Sequence, residues 1–159
     1  MKDIPLSIRE LEATDAEAYL ELFSEPSVAQ YDDFMPITAA DLPEFQRRLG
    51  LSFEQLKEKE YAVALLPDNN LVGILTLAKK RRYYYLGYHF IPRFQGKGLA
   101  TEALRLFLPT LESAVLSKLR LAIHPHNLPS LAVAAKLGFK KTATYYKKHE
   151  KELIFSLPL

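Results

Sequence analysis

Residues 83 to 114 place an apolar strand, a turn with two glycines and an amphipathic helix directly after one another. Gly96 and Gly98 lie in the turn, and each lacks a Cβ atom, so their amides can approach a ligand closely. The first amides of a helix also lack intrahelical acceptors and lie at the positive end of the helix dipole. The segment therefore predicts an anion-binding turn before a helix with one buried face. The apolar positions at helical spacing are Leu99, Ala103, Leu106, Phe107, Leu111 and Ala114.

Two other phosphate-binding motifs do not fit this turn. A P-loop requires Ser or Thr directly after Gly-Lys, whereas Gly98 follows Lys97 here. The dinucleotide fingerprint requires a third small residue, where this chain has Thr101, and then a parallel strand with an acidic residue.

The composition narrows the class of protein. With 159 residues, of which 48% are hydrophobic, we expect one domain spanning residues 1–159. The formal charge is +2 and no basic run is regularly interleaved with aromatic residues, so nucleic acid is not an expected partner. The chain has no cysteine and only four histidines, so we expect no metal site. The N-terminal residues do not resemble a signal peptide, and no apolar stretch reaches about 18 residues, which predicts a cytoplasmic protein without membrane association.

Hydrophobic periodicity predicts a mixed α+β fold. The expected strands are residues 6–11, 61–66, 71–78, 83–91, 119–124, 139–146 and 152–157. The expected helices are residues 14–23, 41–49, 52–60, a long helix from residue 99, and 127–137. Pro109 lies inside the long helical pattern, and because proline has no N–H and clashes with the preceding turn, we expect that helix to kink or divide.

Two further motifs give the glycine turn a family context. The run from Gln95 to Ala100 matches a Gln/Arg-x-x-Gly-x-Gly/Ala signature, and Asn-Leu-Pro-Ser at 127–130 and Lys-Leu-Gly-Phe at 136–139 follow at a matching spacing. In these motifs the chain resembles the GNAT family of N-acetyltransferases, and especially the branch that includes the ribosomal-protein N-terminal acetyltransferases. The resemblance implies a GNAT-like acyl-CoA N-acyltransferase fold, in which a twisted, mostly antiparallel sheet is flanked by helices and splayed at the coenzyme A site.

The resemblance also implies a site for acetyl-coenzyme A (acetyl-CoA) as cosubstrate. In the family, the strand end corresponding to Phe90 and Ile91 pairs with the pantetheine arm, and the amides of the glycine turn hold the pyrophosphate. Arg93 and Lys97 would add positive charge near the nucleotide phosphates. The expected cofactor-binding residues are Phe90, Ile91, Arg93, Gln95, Gly96, Lys97, Gly98, Leu99, Ala100, Asn127 and Ser130. For Asn127 and Ser130, simple capping of a helix is the structural alternative.

The acid–base residues depart from the family pattern. Many members carry Tyr four residues before the helix-ending glycine, where this chain has Ala134. The same branch commonly carries Glu where this chain has Tyr85. We therefore expect Ser130 to serve the leaving sulfur and His89 to accept the proton of the amine. His124 and ordered water are alternative proton acceptors, and packing within the sheet is the structural alternative for His89.

The acceptor side has weaker signals. Segment 24–38 resembles the loop that covers the acceptor in the same branch, and Asp32 and Asp33 would attract a cationic amine. Tyr88 is assigned with them to substrate binding, while adjacent aspartates are also good turn residues. Residues 79–82, Lys-Lys-Arg-Arg, are interpreted as a solvated hairpin tip.

The resemblance thus predicts a single-domain enzyme that transfers acetyl from acetyl-CoA to a primary amine by direct attack on the thioester. The expected acceptor is a protein or peptide N-terminus or a small-molecule amine. The oligomeric state is left open between a monomer and a homodimer. A catalytically silent coenzyme A-binding or regulatory domain is the main alternative. A nucleotide-phosphate binder of another fold is the weaker one.

Overall fold

The computed structural model describes residues 4–32 and 34–159, which form a seven-stranded sheet with helices on both faces. The strands are β1 (Leu6–Glu10), β2 (Glu58–Leu65), β3 (Asn70–Lys80), β4 (Tyr83–Phe90), β5 (Leu119–Ile123), β6 (Lys140–Lys147) and β7 (Glu150–Ser156). Their order across the sheet is β1-β2-β3-β4-β5-β7-β6. Neighbours are antiparallel except β4 and β5, which are parallel. The expected fold class is confirmed.

The α-helices in the described residues are α1 (Ala16–Phe23), α2 (Leu42–Arg48), α3 (Phe53–Leu56), α4 (Leu99–Phe107), α5 (Ser113–Leu116) and α6 (Leu128–Lys136). The expected interruption at Pro109 is confirmed, because α4 ends at Phe107 and a short turn, Leu108–Thr110, precedes α5. The predicted buried face of the long helix is wrong at two of its positions. Leu106 is 41% exposed, and Ala114 is exposed beyond the break.

The predicted helix over residues 52–60 is wrong in its second half. Ser52 caps α3, but Lys57 adopts a left-handed conformation with φ of 57° and ends the helix. Glu58 to Glu60 then enter β2, where Glu60 pairs with Thr76 of β3. Charged residues resemble a solvated helix face in sequence, and pairing with neighbouring strands overrides that local preference. The observed strand β2 therefore places Glu60 on the sheet.

The parallel pair β4 and β5 separates after a short contact. Its register consists of Tyr84 opposite Leu119 and Tyr85 opposite Arg120. Beyond Tyr85, β4 continues to Phe90 along β3 alone, while β5 continues along β7. An opening therefore lies between the carboxyl ends of β4 and β5, as the splayed sheet of the expected fold requires.

The two faces of the sheet carry separate hydrophobic clusters. Alternating strand residues such as Val63 and Leu75 pack with α4, and their neighbours Ala62 and Ile74 pack with α1. Buried residues of α4 in the first cluster are Leu99, Ala103, Leu104 and Phe107. The end of β4 is thus held from both sides, by α4 and α6 on one face and by α1 on the other.

The position of Phe90 depends on a close approach at Gly73. A Cβ atom at Gly73 would lie 2.6 Å from Cε1 of Phe90 and 2.8 Å from the carbonyl oxygen of His89. Both separations are shorter than real contacts, and the obstructing groups are an aromatic ring and backbone.

We expect Gly73→Ala to lower the free energy of unfolding by about 1–3 kcal/mol, because the added methyl overpacks the β3–β4 contact. Chemical denaturation measures this change. Gly50→Ala is the matched control: Gly50 has open space around its Cβ direction, so an effect within about 0.5 kcal/mol is expected. Equal stability of the two variants would contradict the close approach.

Candidate active site

The glycine turn is fixed to the end of β4 by Gln95. The side-chain amide of Gln95 donates to the carbonyl oxygen of Phe90 at 2.9 Å, and its backbone amide donates to Pro92 at 3.1 Å. Gly96 and Gly98 follow with φ of 76° and 79°, in the left-handed region that favours glycine. The turn therefore leaves β4 in a defined direction before α4 begins at Leu99.

Six consecutive amides at this turn have no acceptor in the part of the chain that the structure describes. The first amide of α4 with a backbone bond is that of Glu102, which donates to Gly98 at 3.2 Å. No hydrogen bond within the described residues uses the amides of residues 96 to 101, and no side chain caps α4. Successive unpaired amides beside a helix N-terminus form a concave anion site. The donor set fits a diphosphate, which has several acceptor oxygens and negative charge.

The two basic side chains near the turn have other contacts. The guanidinium of Arg93 donates to both carboxylate oxygens of Glu21 in α1, at 2.9 and 3.1 Å, and stacks 4.5 Å from the ring centre of Phe94. The ammonium of Lys97 lies 5.8 Å from the same ring. The structure thus directs Arg93 toward α1, and the backbone carries the anion-binding geometry.

Ser130 lies in the first turn of α6 and is bonded from two directions. Its backbone amide donates to the side chain of Asn127 at 3.3 Å, so Asn127 caps the helix. Its hydroxyl oxygen accepts a hydrogen bond from the hydroxyl of Tyr88 at 2.9 Å. Burial raises the pKa of Tyr88, which keeps this phenol protonated. The pair connects β4 to α6, and Ser130 retains its own hydroxyl hydrogen for a further acceptor.

The opposite face of β4 borders a cleft of about 690 Å³. As expected, Tyr85, Gly87 and His89 share this face. Tyr88 points to the other face, so the structure separates it from Asp32, with which the sequence had grouped it. Asp33 lies outside the described residues.

His89 is held at the cleft by a carboxylate and two aromatic rings. Its Nε2 lies 2.9 Å from Oδ2 of Asp32, and Phe23 and Phe34 make edge contacts with centroid distances of 5.7 and 5.3 Å. Because a carboxylate only accepts hydrogen bonds, this contact places a proton on Nε2. The Nδ1 atom is buried without a hydrogen-bond partner among the described residues. Asp32 therefore orients His89, a role the sequence did not suggest.

Tyr31, in segment 24–38, contacts the residues that follow β5. Tyr31 stacks on His124 with a centroid distance of 5.0 Å, and its hydroxyl donates to the carbonyl oxygen of His126 at 3.3 Å. Nδ1 of His124 accepts from the backbone amide of His126 at 3.1 Å. Segment 24–38 thus contacts both strands that border the opening.

Glu60 is a cleft residue that sequence reasoning missed. The hydroxyl of Tyr19 donates to its two carboxylate oxygens, at distances of 2.9 and 3.0 Å. Burial raises the pKa of Glu60, and the hydrogen bond from Tyr19 and the charge of Arg48 oppose that rise only in part. The strand-like alternation of Glu58, Glu60 and Ala62 was the available signal, and it was hidden by the helical interpretation of this stretch.

Comparison with known proteins identifies the family. Residues 6–140 match the family described as the acetyltransferase (GNAT) domain. The probable N-acetyltransferase YjcK of Bacillus subtilis is 30% identical over 155 aligned positions, covering 89% of this chain and 83% of that protein. A GNAT-family acetyltransferase from Bacillus anthracis superposes with a TM-score of 0.78 at 27% identity, covering 98% of this chain and 95% of that one. This chain belongs to the GNAT acetyltransferase family.

More distant structures share the fold. A ribosomal L7/L12 α-N-protein acetyltransferase in complex with coenzyme A has a TM-score of 0.77 at 17% identity, with 95% of this chain and 92% of that chain covered. A Vibrio cholerae spermidine N-acetyltransferase in complex with coenzyme A and spermine has a TM-score of 0.74 at 18% identity, with 94% and 93% covered.

The family and the fold define the general activity. The protein is an acetyl-CoA-dependent N-acetyltransferase, which transfers an acetyl group from acetyl-CoA to an amine. Among the described residues, no helix is long and apolar enough to cross a bilayer. The same residues contain no group of three or more His, Cys, Asp or Glu side chains arranged for a metal ion.

We expect Gly98→Ala to weaken acetyl-CoA binding about tenfold, because a side chain at this left-handed position strains the turn that presents the amides. Isothermal titration calorimetry measures the affinity. Gly138→Ala is the matched control, since Gly138 ends α6 with φ of 84° in open space. Both variants should lose similar stability, about 1 kcal/mol. Unchanged donor affinity in Gly98→Ala would count against the anion site.

Proposed function

We propose that the chain acts as one N-acetyltransferase domain that transfers acetyl directly from acetyl-CoA to a primary amine, on a peptide N-terminus or a small molecule. The observation that carries the proposal is the row of free amides from residue 96 to 101 beside the opening between β4 and β5. The cleft of about 690 Å³ borders the opposite face of β4 and has room for an acceptor. Donor and acceptor would thus meet at the end of one strand.

The end of β4 would bind the pantetheine arm by its backbone. The amide of Ile91 donates to Val72 at 3.0 Å, on the β3 side. Successive backbone groups of a strand face opposite edges, so the amide of Phe90 is directed toward the opening. The amides of residues 96 to 101 would hold the diphosphate, and Gln95 would fix their orientation. Acetyl-CoA supplies the thioester.

Ser130 would serve the sulfur that leaves. Its hydroxyl hydrogen is available, and the buried phenol of Tyr88 donates to its oxygen. A hydroxyl that accepts one hydrogen bond is a better donor for the next. Tyr88 would therefore strengthen the hydrogen bond from Ser130 to the leaving thiolate, and the thiolate would take its proton from water on release.

His89 would accept the proton of the amine at Nδ1, the ring nitrogen without a proton. Because Nδ1 is buried in the structure, the ring would have to turn toward the cleft for this step. Asp32, bonded to Nε2, would hold the ring in the tautomer that leaves Nδ1 without a proton. The family's Glu is replaced by Tyr85, which lies on the same face of β4 four residues before His89. The pair of His89 and Asp32 would thus take that role from a different position along the strand.

The direct test is coenzyme A release from acetyl-CoA in the presence of an amine panel, with mass spectrometry of the product. The panel contains a peptide with a free N-terminus, the same peptide N-acetylated, and small primary and tertiary amines. Release with primary amines alone is expected. Tight binding of acetyl-CoA without acetylation of any amine would support the silent domain.

Ser130→Ala should lower kcat by about 100-fold while sparing the fold, because the capping bond uses the backbone amide of Ser130 and survives the change. Tyr88→Phe should lower kcat less. Steady-state kinetics and thermal denaturation check both effects. The control is Ser117→Ala, whose hydroxyl bonds to Ala114 away from the cleft. Unchanged kcat in Ser130→Ala would leave Ser130 a helix-capping residue.

His89→Gln should lower kcat by about 100-fold at constant acetyl-CoA affinity, because it removes the proton acceptor without touching the glycine turn. Asp32→Asn should lower kcat to a smaller extent. His124→Gln is the matched control, since His124 borders the same cleft. A larger loss in His124→Gln than in His89→Gln would transfer the role to His124.

A further inference from the structure

The cleft contains a carboxylate that the acetyl-transfer chemistry described above does not use. Glu60 is partly buried and accepts hydrogen bonds from the single hydroxyl of Tyr19. A carboxylate accepts about four hydrogen bonds, so Glu60 has unused acceptor capacity facing the cleft. Arg48, the nearby cation, donates instead to Glu58 at 2.6 Å.

The position of Glu60 differs from that of His89. Glu60 pairs with Thr76 of β3, and Thr76 pairs with Gly87 of β4. Glu60 is thus two strands away from β4, level with Gly87, which precedes His89 by two residues. With about 4.8 Å between strands and about 3.4 Å per residue, the Cα atoms of Glu60 and His89 are about 12 Å apart. Side chains of a strand stand roughly perpendicular to the sheet, so Glu60 and His89 enter the cleft at separate positions, and Glu60 would hold a different group of the acceptor.

The charges around the cleft favour a cation at Glu60. The described lining includes four carboxylates, of Asp32, Glu58, Glu60 and Glu152, and three basic side chains, of Arg48, Lys80 and Lys147. With neutral histidines the lining is one negative charge in excess. Burial raises the pKa of Glu60 despite Tyr19 and Arg48, which means that these partners replace its lost hydration only in part. A bound ammonium would supply the missing compensation.

We propose that Glu60 is a specificity residue that binds a second ammonium group of the acceptor, so that the enzyme prefers diamines over monoamines of the same length. This inference rests on the proposed transfer to a primary amine at His89. The reacting amine loses its proton at His89, while the distant amine stays protonated in contact with Glu60. The ring of Tyr19, which packs against Phe23 and Phe45, holds the carboxylate in place.

The test compares kcat/KM for putrescine with that for butylamine, and for cadaverine with that for pentylamine. The native enzyme should prefer the diamine by at least about tenfold, the worth of one hydrogen bond to a charged group. Glu60→Gln keeps the acceptor for Tyr19 but removes the charge. It should abolish the preference through a higher KM for the diamine, and Glu60→Asp should restore part of it.

Glu152→Gln is the matched control, because it removes one negative charge from the same cleft at β7. Its preference for the diamine should stay within about twofold of the native value. β7 lies four strands from β2, about 19 Å at 4.8 Å per strand, and charges separated by more than about 10 Å are largely screened. An equal loss in Glu152→Gln and Glu60→Gln would overturn the proposal in favour of a general electrostatic effect. An equal fall for diamine and monoamine in Glu60→Gln would also overturn it, because Glu60 would then act on the reacting amine.

A binding experiment separates this inference from the proposed function. Calorimetry of putrescine and butylamine against the complex with coenzyme A requires no turnover. Tighter binding of putrescine, lost in Glu60→Gln, would support the ammonium site even if neither amine were acetylated. Equal affinity of the two amines for the native protein would contradict the site even if both were acetylated.

Discussion

The short pairing of β4 with β5 is the constraint on which the candidate site depends. The two strands pair only at Tyr84–Leu119 and Tyr85–Arg120, and beyond that point each follows a different antiparallel neighbour. The separation leaves one edge of β4 open, directly before the glycine turn. Gln95 then bonds to the carbonyl of Phe90 and fixes the turn to that edge. A strand edge and a row of amides without acceptors among the described residues are thereby joined into one surface, which we propose binds the acetyl donor.

The two faces of β4 divide the proposed chemistry. Alternation directs Tyr88 to the face of α4 and α6, where it contacts Ser130, and directs His89 to the cleft, where it contacts Asp32. Tyr88, which would support Ser130 at the leaving sulfur, and His89, which would accept the proton of the amine, are thus neighbours in sequence on opposite faces of the sheet. Such an arrangement keeps two groups of opposite function apart without a separate structural element. Asp32 and Tyr31 border the cleft through their contacts with His89 and His124.

The sequence predicted the strands well because hydrophobic alternation and turn residues are local signals. It also predicted the division of the helix at Pro109, since the missing N–H is a property of that residue alone. The helix over 52–60 was wrong in its second half, because Glu58 and Glu60 join a strand only through pairing with β3. Glu60 was missed with it. Tyr88 was grouped with Asp32 although strand alternation places it with Ser130, and Arg93 was assigned to phosphate although Glu21 binds it.

By itself, the sequence determined the conformation of the glycine turn before α4, because glycines before an amphipathic helix specify a backbone conformation that depends on few distant residues. The caps of α6 at Asn127 and Gly138 were determined in the same local way. Only the tertiary structure decided which side chains share a face of the cleft. The contact of Asp32 with His89 spans 57 positions of the sequence, and that of Tyr19 with Glu60 spans 41 positions. Such contacts depend on how the chain crosses the sheet, and no local pattern of residues encodes that distance.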